Sequence, residues 1–214
     1  GERWEDHEGD QRQHRVDQHD ADGGEHGQEA DTQRERQRVQ HLDGDLGAVL
    51  GLNQRWVPHV GSLDESSLGS LASQAALVLG AWSTPAVPDS VGVTLGGEQT
   101  PAELAGFVIV LGAGAAYPSP NYRWFSGRHD RFTYVDRIAV APFAQGRGVG
   151  RLLYDAVAGH ARHSGSPVVC AEVNLDPPNP ESMAFHLHYG FVEVGRQWTY
   201  DDTVEVQLLE LVLP

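Results

Sequence analysis

The segment "VAPFAQGRGVGRLLYDA", Val140 to Ala156, places glycines at 146, 148 and 150 between a strand-like run and a helix-like one. Backbone N–H groups at the start of a helix converge on one point, and the helix dipole favours negative charge there. Glycine lets a ligand come close to that backbone. Arg147 can add a charged donor. The chemistry this pattern suits is the binding of a phosphate or diphosphate. A P-loop would need a lysine after its last glycine, and all 15 Lys and Arg residues of this chain are Arg. A dinucleotide fingerprint would put its glycines tight against the strand end and an acidic residue at the end of the next strand. Here the glycines lie well beyond Val140, and Glu172 falls inside a strand-like run.

The third design fits better. Gln145-Gly146-Arg147-Gly148-Val149-Gly150 resembles the pyrophosphate loop of the GCN5-related N-acetyltransferase (GNAT) superfamily. "YVDRIAVAPFAQGRGVGRLLYDAV" is similar to that superfamily's strand, loop and helix. "VVCAEVNLDPPNPESMAFHLHYGFVEVG" is similar to its later strand, its Asn-x-x-Ser helix start and its aromatic helix ending in Gly-Phe. The resemblance spans about Arg38 to Leu213 and is specific from Tyr134 to Gly195. It implies an α/β fold with a mixed, mostly antiparallel sheet, splayed between two central strands and carrying helices on both faces. It also implies acetyl-CoA as cosubstrate and no metal. The backbone of Ile138, Ala139 and Val140 would pair with the pantetheine arm, and Gln145 to Arg151 would hold the diphosphate. Asn179 and Ser182 fall where the family contacts the cofactor arm.

Acyl transfer to an amine needs a deprotonated amine, a polarised thioester and a proton for the leaving thiolate. Two carboxylates are candidate bases. Glu172 stands in an apolar strand, where desolvation would raise its pKa; Asp136 stands in "YVDRIAV". Each has a structural alternative, Asp136 as an ion pair with Arg123, Arg128 or Arg131. Many relatives carry a Tyr seven residues after the helix-start Asn; here His186 takes that place. His186 is the preferred acid and Tyr189 the second choice. Cys170 reads as a small buried side chain rather than a nucleophile. Asn53, Tyr122, Trp124 and Phe125 are candidate contacts to the acceptor, with burial in the core as the alternative for the aromatics.

These residues need a scaffold of alternating strands and helices. Strands are expected over 38–42, 75–82, 103–111, 131–140, 167–174, 191–200 and 203–213. A helix follows Asp43 as N-cap, and a second starts from a Ser62–Glu65 capping box. A helix is expected from the glycine stretch to about His163, and a short one from Glu181 to Tyr189. Ser83–Pro101 reads as a long hairpin loop, and 112–130 as an aromatic-rich loop.

Residues 1–37 differ in composition. Asp, Glu, Gln, His, Arg and Gly dominate, which predicts a disordered tail ahead of an acyltransferase domain from 38 to 214. Its four histidines, His7, His14, His19 and His26, lack the compact spacing of a metal site. With Gly1 first and Met183 the only methionine, non-native sequence ahead of the true start is one reading of this tail. A net charge of −15 argues against nucleic acid or anionic membranes as partners. No apolar run is long enough to span a bilayer, and one cysteine excludes an internal disulfide. The expected location is the cytoplasm, the expected partner a small-molecule amine, and the last two strands could pair across a homodimer. Two competing readings are a protein N-terminal acetyltransferase and a non-catalytic acyl-CoA sensor.

Overall fold

The computed structural model describes residues 37–42, 45–83, 102–199 and 202–214. The tail, most of the 83–101 loop, Asp43 and Asp201 lie outside these residues. In chain order the elements are β1 Gln37–His41, α1 Leu46–Arg55, α2 Glu65–Gln74, β2 Leu77–Ser83 and β3 Glu103–Gly112. They continue with α3 Pro120–Ser126, β4 Thr133–Val140, a 3-10 turn Pro142–Ala144 and α4 Val149–Ser164. The chain closes with β5 Val168–Asp176, α5 Pro180–Tyr189, β6 Val192–Thr199 and β7 Val204–Val212. The seven strands form one sheet in the order β1-β2-β3-β4-β5-β7-β6. Every pair is antiparallel except β4–β5.

β3 is the centre of the core. Leu104 to Leu111 are all buried, the continuous apolar run of a strand covered on both faces. α4 buries Val149, Leu153, Val157 and Ala161, one stripe at four-residue spacing, and its last turn closes on Gly165 at φ +70°.

β4 and β5 pair only at Thr133–Val169 and Tyr134–Cys170, then part. The parting has a local cause. In the β3–β4 ladder Ile109 faces Arg137 and Val110 faces Val135, so Asp136 is an extra residue in β4. Such a bulge bends its strand and increases its twist. The edge of β4 beyond it is left without a strand partner on the β5 side.

Three expectations shift. The aromatic loop contains α3, which starts from a Ser119 side chain accepting from the Tyr122 N–H, with Pro120 in its first turn. The N-cap of α2 is Asp64, accepting from Ser67, rather than Ser62, whose hydroxyl instead accepts from Gln54. The observed N-cap of α1 is Asp45. Among the described residues, no helix is long and apolar enough to cross a membrane.

Candidate active site

A cleft of about 730 Å³ lies where β4 leaves β5. One wall is β4, through Ile138, Ala139 and Val140. Another is the glycine stretch and the start of α4: Ala144, Gln145, Gly146, Gly148, Val149, Gly150 and Arg151. The opposite side is α5, with Asn179, Glu181, Ser182, Phe185, His186 and His188. Arg147 is exposed and stands outside this lining.

The glycines divide by role. Gly146 and Gly148 have φ of +71° and +82°, and a Cβ on either would meet no atom within 4 Å. Their left-handed backbone turns the chain into α4 and leaves open space beside its first N–H groups. Gly150 is different: a Cβ there would stand 2.9 Å from the Phe185 ring. Its missing side chain makes room for α5 to pack against α4. Asn179 caps α5 by accepting from the Ser182 N–H at 3.2 Å, so these two cleft residues are one local motif.

Trp56, at the end of α1, also lines the cleft and donates its indole N–H to the Val140 carbonyl at 3.0 Å. This bond holds it against the open edge of β4.

The catalytic candidates separate into two groups. Asp136 accepts from the Tyr117 hydroxyl and from Arg137 Nε at 2.7 Å. Its ion partner is therefore Arg137, not the three arginines expected from the sequence. Arg131 donates to the Ser164 carbonyl, Arg128 to Glu210 and Arg123 to the Pro118 carbonyl. Glu172 Oε1 accepts from the Tyr134 hydroxyl at 2.8 Å. Its Oε2 is shielded from solvent and has no hydrogen bond of good geometry among the described residues. Burial, with Asp136 nearby adding to it, pushes the Glu172 carboxyl up to about 8, against the pull of Asn121, Tyr134 and Arg137.

This has a consequence for stability. Between the ordinary value of 4.5 and about 8, the folded protein holds a proton on Glu172 that the unfolded chain releases. The stabilisation is complete at low pH and is lost as pH rises through that window, by at most about 1.4 kcal/mol per pH unit. Denaturant titrations at about pH 5 and about pH 8 should show wild type losing stability relative to Glu172→Gln. Parallel pH dependences in the two proteins would mean that the carboxyl titrates normally.

His186 is held on both sides. Nδ1 lies 2.7 Å from the Ser182 carbonyl, so it carries the N–H; Nε2 lies 2.6 Å from the Tyr154 hydroxyl, from which it accepts. Burial lowers its pKa, which keeps the ring neutral. A neutral ring with both nitrogens engaged has no spare proton for a thiolate, and this speaks against the acid role. Tyr189 donates to Asp155 Oδ1 at 2.8 Å on α4 and does not line the cleft. Burial, then the Asp155 bond, raises its pKa.

The acceptor candidates are structural. Asn53 is fully buried, donates to Gly61 O at 3.1 Å and accepts from Arg137 at 2.9 Å. Tyr122 and Phe125 are core residues packed around Tyr134. Trp124 packs over Gly195 and under the Arg128 guanidinium. What the sequence reading missed is Tyr117, Tyr134 and Arg137, the partners of the two carboxylates. Their types were visible; only the fold brings them together.

One further group has metal-ligand character. His129, Cys170 and Glu210 bring ligand atoms within 4.8 Å of one another. Glu210 Oε1 is already taken by Arg128 at 2.9 Å and His129 at 2.7 Å, and burial raises the Cys170 thiol pKa.

The sequence profile of the Acetyltransferase (GNAT) family matches residues 90–191. No curated protein matches the chain. Solved structures do. One is the NatC complex bound to Gag peptide and CoA, at TM-score 0.61 and 12% identity over 84% of this chain and 99% of that one. Another is the ribosomal-protein-S18-alanine N-acetyltransferase from Escherichia coli, at TM-score 0.55 and 19% identity, over 82% and 93%. A third is yncA from Salmonella typhimurium, a putative acetyltransferase with its cofactor acetyl-CoA, at TM-score 0.56 and 16% identity, over 84% and 95%. At these identities the structures establish a shared fold. With the profile match over the glycine stretch and the parted strands in place, the chain carries at residues 90–191 a segment of the Acetyltransferase (GNAT) family, whose general chemistry is acyl transfer from CoA.

Proposed function

We propose that the protein is an acyl-CoA-dependent N-acyltransferase that moves an acetyl or other short acyl group to a primary amine by direct attack. The observation that carries this reading is the cleft itself. It joins a helix start, left open at Gly146 and Gly148 and suited to an anion, to a strand edge that has no strand partner on its β5 side. The diphosphate of CoA sits at the first, and the pantetheine arm runs along the second as an added strand. The acyl group then reaches the inner end of the cleft, towards Asp136 and Glu172. An acceptor ammonium loses two protons overall. Glu172, as carboxylate, takes the first; the amine attacks, a C–N bond forms and the C–S bond breaks. The second proton neutralises the departing thiolate.

The test is thermal unfolding with acetyl-CoA and, separately, NADH. A ligand at about 100 times its Kd should add about 2.7 kcal/mol of stability. Stabilisation by acetyl-CoA alone is the expected result. Stabilisation by NADH alone would overturn the assignment.

A further inference from the structure

This inference rests on the acyltransferase reading and concerns how the cofactor arm enters the cleft. Val140 faces Gly106 in the β3–β4 ladder, and the next pair, Ala141 with Ala105, is joined by a hydrogen bond from the Ala141 N–H at 2.8 Å. Antiparallel pairs alternate between hydrogen-bonded and non-bonded, so Val140 turns its own N–H and C=O away from β3. Ile138, which faces Val108, does the same. These groups lie on the edge of β4 that β5 has left, and both residues line the cleft.

One of those groups is already taken. The Trp56 indole donates to the Val140 carbonyl at 3.0 Å. A donor at that distance stands where the N–H of a neighbouring strand would stand, inside the roughly 4.8 Å that separates paired strands. The pantetheine arm, as an added strand, needs the same carbonyl and the same space. The indole can leave without unfolding its surroundings. Trp56 is half-buried at the C-cap of α1 and is followed by the exposed Val57, Pro58 and His59. The chain around it is anchored by other groups: Asn53 donates to the Gly61 carbonyl at 3.1 Å, and Arg137 donates to Asn53 at 2.9 Å and to the Gly61 carbonyl at 3.1 Å. We propose that Trp56 is a displaceable latch on the cofactor edge, its indole N–H occupying the Val140 carbonyl until the arm of acyl-CoA takes it.

Trp56→Phe keeps an aromatic ring at the rim of the cleft and removes the N–H. Cofactor binding then no longer breaks that hydrogen bond. Calorimetric titration with acetyl-CoA should show the variant binding about two- to tenfold more tightly than wild type, the range that a net hydrogen bond contributes. Equal or weaker binding overturns the proposal, because a Trp56 that only lines the site or supports the cofactor gives one of those results. Wild type supplies a second readout that does not depend on the folding of the variant. Exchange of the Trp56 indole N–H with solvent, followed by NMR, should be faster with acetyl-CoA than without it. An indole that stays on Val140 beneath the cofactor would be covered, so slower or unchanged exchange also overturns the latch. In these cases acetyl-CoA still binds and the acyltransferase reading stands. Failure of acetyl-CoA to bind wild type would instead remove that reading, and the latch with it.

Discussion

Glu172→Gln is expected to lower turnover by about 10²–10⁴-fold while leaving stabilisation by acetyl-CoA unchanged. The substitution keeps the volume of the side chain and an oxygen for the Tyr134 hydroxyl, which now donates at 2.8 Å. What it removes is the group that can accept the ammonium proton. The wild-type rate should rise with pH through about 8, where the carboxyl gives up its own proton. The variant should lose that limb of the profile. Steady-state kinetics of both proteins across this range, with thermal unfolding in acetyl-CoA alongside, decide the matter. Unchanged turnover would make Glu172 structural and Asp136 the better base.

Gly148→Glu should abolish binding of acetyl-CoA, and with it the increment of about 2.7 kcal/mol expected near saturation. Gly148 is the N-cap of α4 at φ +82°, facing open space. A glutamate there strains the backbone by about 1–2 kcal/mol. It also sets a carboxylate where the diphosphate would lie. Gly148→Ala carries the same strain without the charge, so the difference between the two reports on the anion site. If Gly148→Glu is still stabilised by acetyl-CoA, the diphosphate lies elsewhere. Gly150 would not serve for this test, because its Cβ would press on Phe185 at 2.9 Å and disturb packing first.

Legibility followed distance along the chain. The strand, glycine turn and helix from Thr133 to Ser164 are contiguous, so their periodicity and turn residues could be read directly. The Asn179–Ser182 cap is likewise local. α3 was hidden because its aromatic residues, Tyr122 and Phe125, also suit a substrate loop; burial against Tyr134 assigns them to the core. His186 sat at the position where many relatives carry a Tyr, yet its chemistry depends on Tyr154, 32 residues away.

The sequence by itself pointed to the family, to the glycine turn that opens a helix and to two carboxylates worth testing, because each rests on residue types at short spacing. Only the tertiary structure decided how those residues are partnered. The bulge at Asp136 parts β4 from β5 and opens the cleft. The same fold brings Tyr134 to Glu172, Tyr117 and Arg137 to Asp136, and Tyr154 to His186. Protonation depends on burial and on neighbours from other elements, and neither is a property of local spacing.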